Sequence, residues 1–351
     1  METAIKKKDL RLIQPDELNQ VVIDLGEKKF RAKQILEWLW VKGARTIDDM
    51  SNLSIKFRNQ LKEVYTINDV TIAEEQRSSD GTVKVVFKLW DNYIVEGVLI
   101  PAGDRMTACV SSQVGCSLAC SFCATGRLKR ERNLDFPEIY DQVYLLNQIA
   151  KNYYNHPLSN IVFMGMGEPL LNYKQLLAGI DKITSDSGMN MAARRITVST
   201  AGVSKMIRKL ADDQVRFPLA LSLHAANDDK RTKIMAINET NNLEILKRDL
   251  QYFHEKTGNN ITLEYIIFKD FNDKIKDAEE LYEFAKHFPC KINIIEYNPI
   301  DDGEFKQASI ERVDAFVNYL EKNRLTVNVR RSRGKDIDAA CGQLANKNKV
   351  N

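Results

Sequence analysis

The feature that most constrains the fold is a repeat of apolar, strand-like runs separated by longer amphipathic segments, which begins near residue 106. The runs are, in order, MTACVSS, NIVFMG, RRITVST, PLALSLH, ITLEYIIF, KINIIEYNP and LTVNVRRS. The intervening PEIYDQVYLLNQIAK, NLEILKRDLQYFHEKTG and IERVDAFVNYLEKN have the apolar spacing of helices. This alternation predicts an α/β fold in which helices cover a parallel sheet, either as a barrel or as an open doubly wound sheet.

The chain before this repeat has two other patterns. Residues 1–68 predict a small helical N-terminal domain, because EKKFRAKQILEWLWVKGA and SIKFRNQLKEVY carry apolar residues at helical spacing. Residues 69–104 predict a connecting β-hairpin segment, because Ser-Asp-Gly and Asp-Asn separate β-rich runs. The repeat then occupies residues 105–346. We expect the polar ends METAIKKKDLRL and NKNKVN to be disordered.

Composition narrows the class of protein. Hydrophobic residues at 44% and charged residues at 28% are typical of a globular chain. The sequence has no apolar run that could span a bilayer and no apolar signal segment, so it predicts a cytoplasmic protein without a membrane partner. In that reducing compartment, six cysteines indicate metal binding, catalysis or burial rather than a disulfide framework. The net charge of +3 neither requires nor excludes nucleic acid.

A loop after the first predicted strand concentrates three of the cysteines. GCSLACSFCATG places Cys116, Cys120 and Cys123 in the spacing CxxxCxxC. Thiolates favour zinc or an iron-sulfur cluster, and three ligands on a cubane cluster leave one iron open. Zinc completed by His156 or His224 is the alternative that the residues leave open. GMGEP, STAG, LHAAN and NPIDDG follow other strands, where parallel α/β folds bind ligands.

In the cysteine loop and in VFMGMGEPLLN, the chain resembles the radical S-adenosylmethionine (SAM) enzymes. The resemblance implies a [4Fe-4S] cluster on Cys116, Cys120 and Cys123. It also implies that SAM occupies the open iron and is cleaved reductively to a 5′-deoxyadenosyl radical. The expected fold is the partial (β/α) TIM-like barrel of the radical SAM type, in agreement with the repeat. Glu168 is then expected to accept a hydrogen bond from the amino group of SAM.

A closer resemblance covers nearly the whole chain. ACVSSQVGCSLACSFCATG, MGMGEPLLN, RRITVSTAGV, LSLHAAND, NPI and RGKDIDAACGQLA are similar to the RlmN family. These dual-specificity enzymes methylate carbon 2 of an adenosine in 23S rRNA and in tRNAs, next to the anticodon. A helix cap, a loop histidine and a turn are the ordinary structural alternatives for Ser199, His224 and Asn298. The resemblance implies that SAM contacts Gly167, Glu168, Ser199, Ser222, Leu223, His224 and Asn298.

The same resemblance assigns the catalytic residues. Cys109 and Cys341 match the family's paired thiols, whereas Cys290 matches no such position and is expected in the core. Two SAM molecules per turnover are implied: one methylates Cys341, and the other yields the radical that activates the S-methyl group for addition to adenine. Attack by Cys109 then releases the RNA and leaves a transient Cys109–Cys341 disulfide. Glu96 matches the family's proton acceptor, although its residue type alone indicates a solvated strand position.

Two basic segments, GRLKRER and RRSRGK, lie at the cysteine loop and at the start of RGKDIDAACGQLA, residues 333–345, which we call the Cys341 segment. They predict contacts with RNA phosphates, with a solvated charged surface as the alternative. The implied partners are 23S rRNA, tRNA and an electron donor such as a flavodoxin-type reductase system, and a monomer is expected. Two competing functions remain open. One is a related adenine carbon 8 methyltransferase with the same cluster and thiols, and the other is a zinc-stabilised RNA-binding module without catalysis.

Overall fold

The computed structural model describes residues 7–345, and its elements are numbered here in chain order. The strands of these residues are β1 Lys8–Asp9, β2 Tyr65–Thr66, β3 Thr71–Arg77, β4 Val83–Lys88, β5 Ile94–Ala102, β6 Arg105–Cys109, β7 Gln113–Val114, β8 Arg132–Asn133, β9 Asn160–Phe163, β10 Ile196–Thr200, β11 Leu219–Ser222, β12 Ile261–Ile267, β13 Cys290–Glu296 and β14 Thr326–Arg330. The helices are α1 Pro15–Asp24, α2 Phe30–Trp40, α3 Ile55–Val64, α4 Phe136–Tyr154, α5 Tyr173–Thr184, α6 Ser204–Asp212, α7 Asp228–Ile234, α8 Leu243–Thr257, α9 Ile275–Ala285 and α10 Ile310–Lys322.

One ten-stranded sheet organises the molecule. Its order is β14-β13-β12-β11-β10-β9-β6-β5-β4-β3. The strands from β6 through β14 in this order pair in parallel, which confirms the parallel sheet predicted from the repeat. Every residue of β12 is buried, as expected for a strand of a parallel sheet with both faces covered. Strands β14 and β3 are the two edges, so the sheet remains open, as a partial barrel requires.

The helices begin and end where local sequence signals place them. Helix α4 starts with a capping box in which Asp135 and Glu138 satisfy each other's backbone N–H groups. In α8, the side chain of Asn242 accepts a hydrogen bond from the Ile245 N–H, and Gly258 ends the helix in the left-handed conformation. The helices predicted in the segments of α4, α8 and α10 are therefore confirmed.

The segment between residues 69 and 104 forms the predicted consecutive hairpins. Strands β3, β4 and β5 pair antiparallel in sequence, and β5 pairs with β6, where Val98 lies opposite Cys109. The segment is part of the main sheet rather than only a connection to it, because β5 covers the edge of β6 that β9 leaves open. This pairing places the β5 residues beside the strand that carries Cys109.

The expected disorder of METAIKKKDLRL is wrong for residues 8–12. Strand β1 pairs in parallel with β2, and the Arg11 side chain is buried. Arg11 Nη1 donates to Asp141 Oδ2 at 2.7 Å, while its Nη2 lies 3.4 Å from Asp9 Oδ2. A buried guanidinium held by two carboxylates fixes this end of the chain against α4. Residues 1–6 and the whole of NKNKVN lie outside the described residues. No helix within residues 7–345 has the length and apolar character needed to cross a membrane.

Candidate active site

A cavity of about 870 Å³, open to solvent, lies at the ends of the parallel strands and is called here the smaller cavity. Loops after β7, β9 and β11 and the segment after β14 contribute to its walls. The arrangement agrees with the general position of ligand sites in parallel α/β folds. The predicted site residues in its walls are Cys116, Cys120, Cys123, Gly167, Glu168, Ser199, Ser222, His224 and Cys341.

The cysteine loop presents its three thiols to this cavity. Burial raises the pKa of Cys116 to about 11, and burial followed by the neighbouring Cys123 and Cys116 thiols raises the pKa of Cys120. A bound cationic centre stabilises such thiolates and offsets their desolvation. Three soft donors from one loop, on the wall of a cavity with room beside them, fit the [4Fe-4S] cluster implied by the sequence.

The two histidines proposed as a fourth zinc ligand differ in position. His156 is half-buried and does not line the smaller cavity, whereas His224 does. His224 Nδ1 accepts a hydrogen bond from the Ile266 N–H at 3.1 Å, and its ring lies 4.8 Å from that of Phe122. Burial lowers the pKa of His224 to about 3, so the ring is neutral. Among residues 7–345, no group of three or more His, Cys, Asp or Glu side chains is placed to hold a single metal ion.

The Gly167–Glu168 turn is fixed by close packing. Gly167 has a φ of 95°, and a Cβ atom there would lie 2.5 Å from the Cβ of Gln113. Glu168 Oε2 accepts from the Ala201 N–H at 2.8 Å, and Oε1 accepts from the Leu170 N–H at 3.1 Å. Burial nevertheless raises the pKa of this carboxyl to about 7. A cationic ligand beside Glu168 would favour the ionised form.

The other predicted SAM contacts occupy three kinds of position. Ser199 and Ser222 line the smaller cavity with their hydroxyl oxygens 3.2 Å apart, and Ser199 does not cap the next helix, which begins at Ser204. Leu223 is fully buried and does not line the cavity. Asn298 is also outside the lining, and its Nδ2 donates to the Cys341 carbonyl at 3.3 Å. Asn298 therefore positions the Cys341 backbone.

A second cavity, of about 1960 Å³ and called here the larger cavity, adjoins the first. Cys109 and Cys341 both line it, and both thiols are free. Burial and then the Cys341 charge raise the pKa of Cys109 to about 12. Cys341 belongs to the walls of both cavities. The larger cavity also has five basic side chains in its lining: Arg105, Lys291, Arg330, Arg331 and Arg333.

The Cys341 thiol differs from the other cysteines in its surroundings. Its side chain is exposed to the cavities, whereas Cys109 is buried. Protein groups around Cys341 desolvate it, and together with the Glu264 carboxylate they raise its pKa to about 11. The Ala124 N–H donates to the Gly342 carbonyl at 2.7 Å, so the cysteine loop and the Cys341 segment are bonded directly. Cys290, by contrast, is partly buried against the core and lines neither cavity.

Glu96 does not occupy the solvated strand position that its residue type indicates. It is buried, its Oε2 accepts from the Ala345 N–H at 2.8 Å, and its Oε1 lies 3.8 Å from Lys84 Nζ. Glu96 lines neither cavity, although Val98 on the same face of β5 lines the larger one. The structure therefore places Glu96 beneath the end of the Cys341 segment.

Sequence reasoning missed Arg231, which joins two of the strand ends. This fully buried guanidinium donates to the carbonyls of Ala201 at 2.6 Å, Ser222 at 3.2 Å and Leu223 at 3.1 Å. It thereby fixes the backbone next to Ser222 and His224. Its segment, DDKRTKI, gives no local signal of this role, because a basic residue in a polar helix is ordinarily exposed.

A second missed feature is a set of reciprocal hydrogen bonds that we call the turn clamp. Its residues are Ser78, Asp80, Gly334 and Asp336. Asp336 accepts from the Ser78 hydroxyl at 2.6 Å and from the Ser79 N–H at 3.0 Å. In return, Asp80 Oδ2 accepts from the Gly334 N–H at 3.0 Å. The clamp fastens the β3–β4 turn to the segment that leads to Cys341.

A parallel sheet with a CxxxCxxC loop and a Gly-Glu turn at its strand ends defines a radical SAM enzyme. The family model "Radical SAM superfamily" matches residues 110–285, and "Ribosomal RNA large subunit methyltransferase N-terminal domain" matches residues 8–67. The chain belongs to the RlmN family of radical SAM RNA methyltransferases.

Similar proteins cover almost the full length of the chain. "Probable dual-specificity RNA methyltransferase RlmN" of Cytophaga hutchinsonii is 58% identical and aligns over 98% of this chain and 94% of its own. The protein of the same name in Christiangramia forsetii is 55% identical over 97% of each chain. A solved radical SAM methyltransferase from Sphaerobacter thermophilus has a TM-score of 0.90 at 37% identity, covering 96% of this chain and 99% of its own. The expected radical SAM fold is thus confirmed.

Proposed function

We propose that this enzyme methylates carbon 2 of a specific adenosine in 23S rRNA and in tRNAs, next to the anticodon, and that Cys341 carries the methyl group. The observation that carries the proposal is the position of Cys341 in the walls of both cavities. The smaller cavity is lined by the three thiols of the cysteine loop and by Glu168. The larger cavity is lined by Cys109 and by basic side chains. The names of the similar proteins support an RNA substrate of two kinds.

The smaller cavity serves the cofactors in this proposal. Cys116, Cys120 and Cys123 hold the [4Fe-4S] cluster, and Glu168 receives the amino group of SAM. The backbone of Gly167 approaches the ligand closely because a side chain there has no room. Polar groups of Ser199, Ser222 and His224, with the backbone near Leu223 and Asn298, complete the SAM site. When bound, the cluster and two SAM molecules per turnover supply a methyl group for one step and a 5′-deoxyadenosyl radical for the next.

The two thiols divide the transfer between them. The Cys341 sulfur accepts the methyl group, and loss of a hydrogen atom from that group leaves a carbon radical attached to Cys341. Its addition to adenine joins protein and RNA through a thioether, after which one electron and the carbon 2 proton leave. Glu96 is the proposed proton acceptor. Cys109 thiolate then attacks the Cys341 sulfur, so that a disulfide forms, the carbon–sulfur bond breaks and the departing carbon takes a proton to become the methyl group.

The larger cavity is the proposed entry for RNA. Arg330, Arg331 and Arg333 from RRSRGK line it beside Cys341, where they can neutralise phosphates. In GRLKRER, Arg132 forms salt bridges with Glu138 and Asp91. Fewer basic side chains of this segment can therefore contact RNA phosphates. The disulfide and the cleavage of SAM both need electrons, so we propose a flavodoxin-type reductase system as the donor. We propose a monomer that acts in the cytoplasm, where these RNAs reside.

The proposal is tested with three cysteine variants and mass analysis of the protein and of digested RNA. Cys341→Ser is expected to abolish RNA methylation, because no sulfur remains to carry the methyl group. Cys109→Ser should retain S-methylation of Cys341 but accumulate RNA joined to the protein. As a matched control, Cys290→Ser is expected to methylate RNA within about twofold of the natural chain, because Cys290 lines neither cavity.

Each contrary outcome has a defined meaning. A methyl group found on carbon 8 would replace carbon 2 in the proposal by the related activity. Tightly bound zinc without cleavage of SAM under reduction would support the RNA-binding module instead. Active protein whose Cys341 is never methylated would overturn the role of Cys341 as carrier.

A further inference from the structure

Glu264 is a carboxylate inside the sheet to which the proposed function gives no role. It lies on β12 with Ser222 as its register partner on β11 and Asn293 as its partner on β13. It is 4% exposed and lines the smaller cavity. Sequence reasoning missed it, although a single carboxylate within the apolar run ITLEYIIF is an unusual signal.

The two oxygens of this carboxylate have different surroundings. Oε1 accepts a hydrogen bond from Asn293 Nδ2 at 2.8 Å, and Asn293 Oδ1 in turn accepts from Asn328 Nδ2 at 3.4 Å. Oε2 is buried and has no hydrogen-bond partner among residues 7–345, with the Arg330 guanidinium 4.0 Å away. A buried carboxylate oxygen without a donor is costly, so this oxygen points to a donor that reaches it during the reaction, from a group that faces the same cavity.

The other potential bases in the smaller cavity are already committed. Both oxygens of Glu168 accept backbone N–H groups, and the proposed function assigns this carboxylate to the amino group of SAM. His224 Nδ1 accepts the Ile266 N–H. A neutral His224 therefore carries its proton on Nε2, where it can donate but not accept. Of the carboxylates and imidazoles in the lining of this cavity, Glu264 Oε2 is the acceptor left open.

The donor that the chemistry requires is the thiol of Cys341, which lines the same cavity. An ordinary cysteine thiol, with a pKa of about 8.5, is already mostly protonated at neutral pH. Desolvation by the surrounding protein and the Glu264 charge raise the pKa of Cys341 further. Transfer of a methyl group to sulfur must therefore displace the thiol proton. Burial also raises the pKa of Glu264, against the opposing charges of Arg330 and Lys291. A carboxylate with a raised pKa is a stronger base.

We propose that Glu264 Oε2 accepts the proton of the Cys341 thiol as that sulfur is methylated. This inference rests on the proposed function. The sulfur–carbon bond to the methyl group forms as the sulfonium–carbon bond of SAM breaks, and the sulfur–hydrogen bond gives its proton to Glu264. The products are S-methylcysteine at position 341, S-adenosylhomocysteine and a protonated Glu264, with no net oxidation or reduction.

The first test measures the rate of S-methylation at Cys341 in the cluster-loaded protein, by mass analysis of the Cys341 peptide after addition of SAM. Glu264→Gln keeps an oxygen for Asn293 but removes the base, and we expect methylation to slow by about 100-fold. Glu264→Asp retains a carboxylate and should recover part of the rate. The matched control is Glu244→Gln on α8, whose side chain is 76% exposed and whose rate should remain unchanged.

A second readout needs neither cluster nor SAM. Iodoacetamide alkylates a thiol by the same type of displacement, and peptide analysis isolates Cys341 from the other cysteines. If Glu264 acted only through its charge, Glu264→Gln would lower the thiol pKa and speed alkylation at pH 7. If Glu264 accepts the proton, alkylation slows. Faster alkylation in this variant overturns the inference.

The two proposals fail in different ways. A natural chain that is active without S-methyl-Cys341 would overturn the proposed function. A natural chain with S-methyl-Cys341 and a Glu264→Gln variant methylated at the same rate would overturn only the role of Glu264. If Glu264→Gln loses the cluster, the alkylation of Cys341 by iodoacetamide decides the role, since that readout needs no cluster.

Discussion

The two sides of the smaller cavity are built in different ways. On one side, Ser199 and Ser222 belong to β10 and β11 of the hydrogen-bonded sheet. Gly167 and Glu168 lie in the loop after β9, where the Ala201 N–H beyond β10 donates to Glu168. On the other side, the Cys341 segment contains no strand. The segment is held by the turn clamp, by hydrogen bonds to Asn298 and Glu96, and by hydrogen bonds from Ala124 and Thr125 of the cysteine loop.

Because of this difference, the two sides of the smaller cavity differ in the free energy needed to move them. Displacing the sheet side breaks backbone pairs of the central sheet, so its position is coupled to the global free energy of unfolding. The Cys341 segment can open by breaking these few hydrogen bonds while the sheet stays intact. The thiol proposed to meet SAM, RNA and Cys109 in turn is thus on the side with the smaller cost of movement.

The largest expected effect is on the sheet side, at Gly167. Replacement by alanine adds a Cβ 2.5 Å from Gln113 Cβ at a left-handed φ, so we expect a loss of about 4 kcal/mol in the free energy of unfolding. Gly258→Ala is the matched control, since its φ is 64° and no atom lies within 4 Å of the added Cβ. That change should cost about 1 kcal/mol. Equal losses in urea titrations of the two variants would show that crowding at Gly167 is unimportant.

A slightly smaller effect is expected from Glu168→Gln, and it depends on pH. Burial raises the pKa of Glu168 from 4.5 unfolded to about 7 folded, so the folded state binds more protons between these values. The contribution of Glu168 to stability is therefore complete below pH 4.5 and is lost as the pH rises to about 7. The difference of about 2.5 pKa units corresponds to about 3 kcal/mol.

Glu168→Gln removes this loss, and without SAM the variant should gain about 3 kcal/mol relative to the natural chain between pH 4.5 and pH 8. Denaturant titrations at a series of pH values measure the difference. Glu244→Gln, an exposed carboxylate, should show no such trend. A difference between Glu168→Gln and the natural chain that stays constant with pH would contradict the raised pKa.

The smallest effect is expected on the other side, from Asp336→Ala in the turn clamp. Loss of the bonds to Ser78 and Ser79 should speed hydrogen exchange at the Ile337 and Ala339 amides by about three- to tenfold, with little change in Tm. Asp104→Ala, in the exposed turn between β5 and β6, is the control and should leave both unchanged. A fall in Tm as large as that of Gly167→Ala would erase the distinction between the two sides.

The sequence predicted the parallel sheet because its strands are buried on both faces and appear as continuous apolar runs. It also predicted the hairpins of residues 69–104 from their turn residues. It did not predict that β5 pairs with β6. Turn signals are local and do not indicate which strand a hairpin will pair with elsewhere in the sheet. Arg11 was assigned to a disordered end because its burial depends on Asp141, far along the chain.

The candidate site shows the same division. The cysteine loop and the Gly-Glu turn were recognisable because the residues of each motif lie within a few positions of one another in the sequence. The turn clamp was not, because Asp80 and Asp336 meet only in the folded chain. The residue type of Glu96 alone indicated a solvated position, whereas the residue is buried and its carboxylate accepts from the Ala345 N–H, a contact that forms only in the folded chain.

The shared position of Cys341 has a consequence for inhibitor design. Under the proposed function, a compound in the smaller cavity would compete with SAM and one in the larger cavity would compete with RNA. Both compounds would lie against Cys341. Substitutions that enlarge one cavity or change its charge would confer resistance to the compound bound there. They would leave the compound in the other cavity effective, so two inhibitors of one thiol would not share a resistance mechanism.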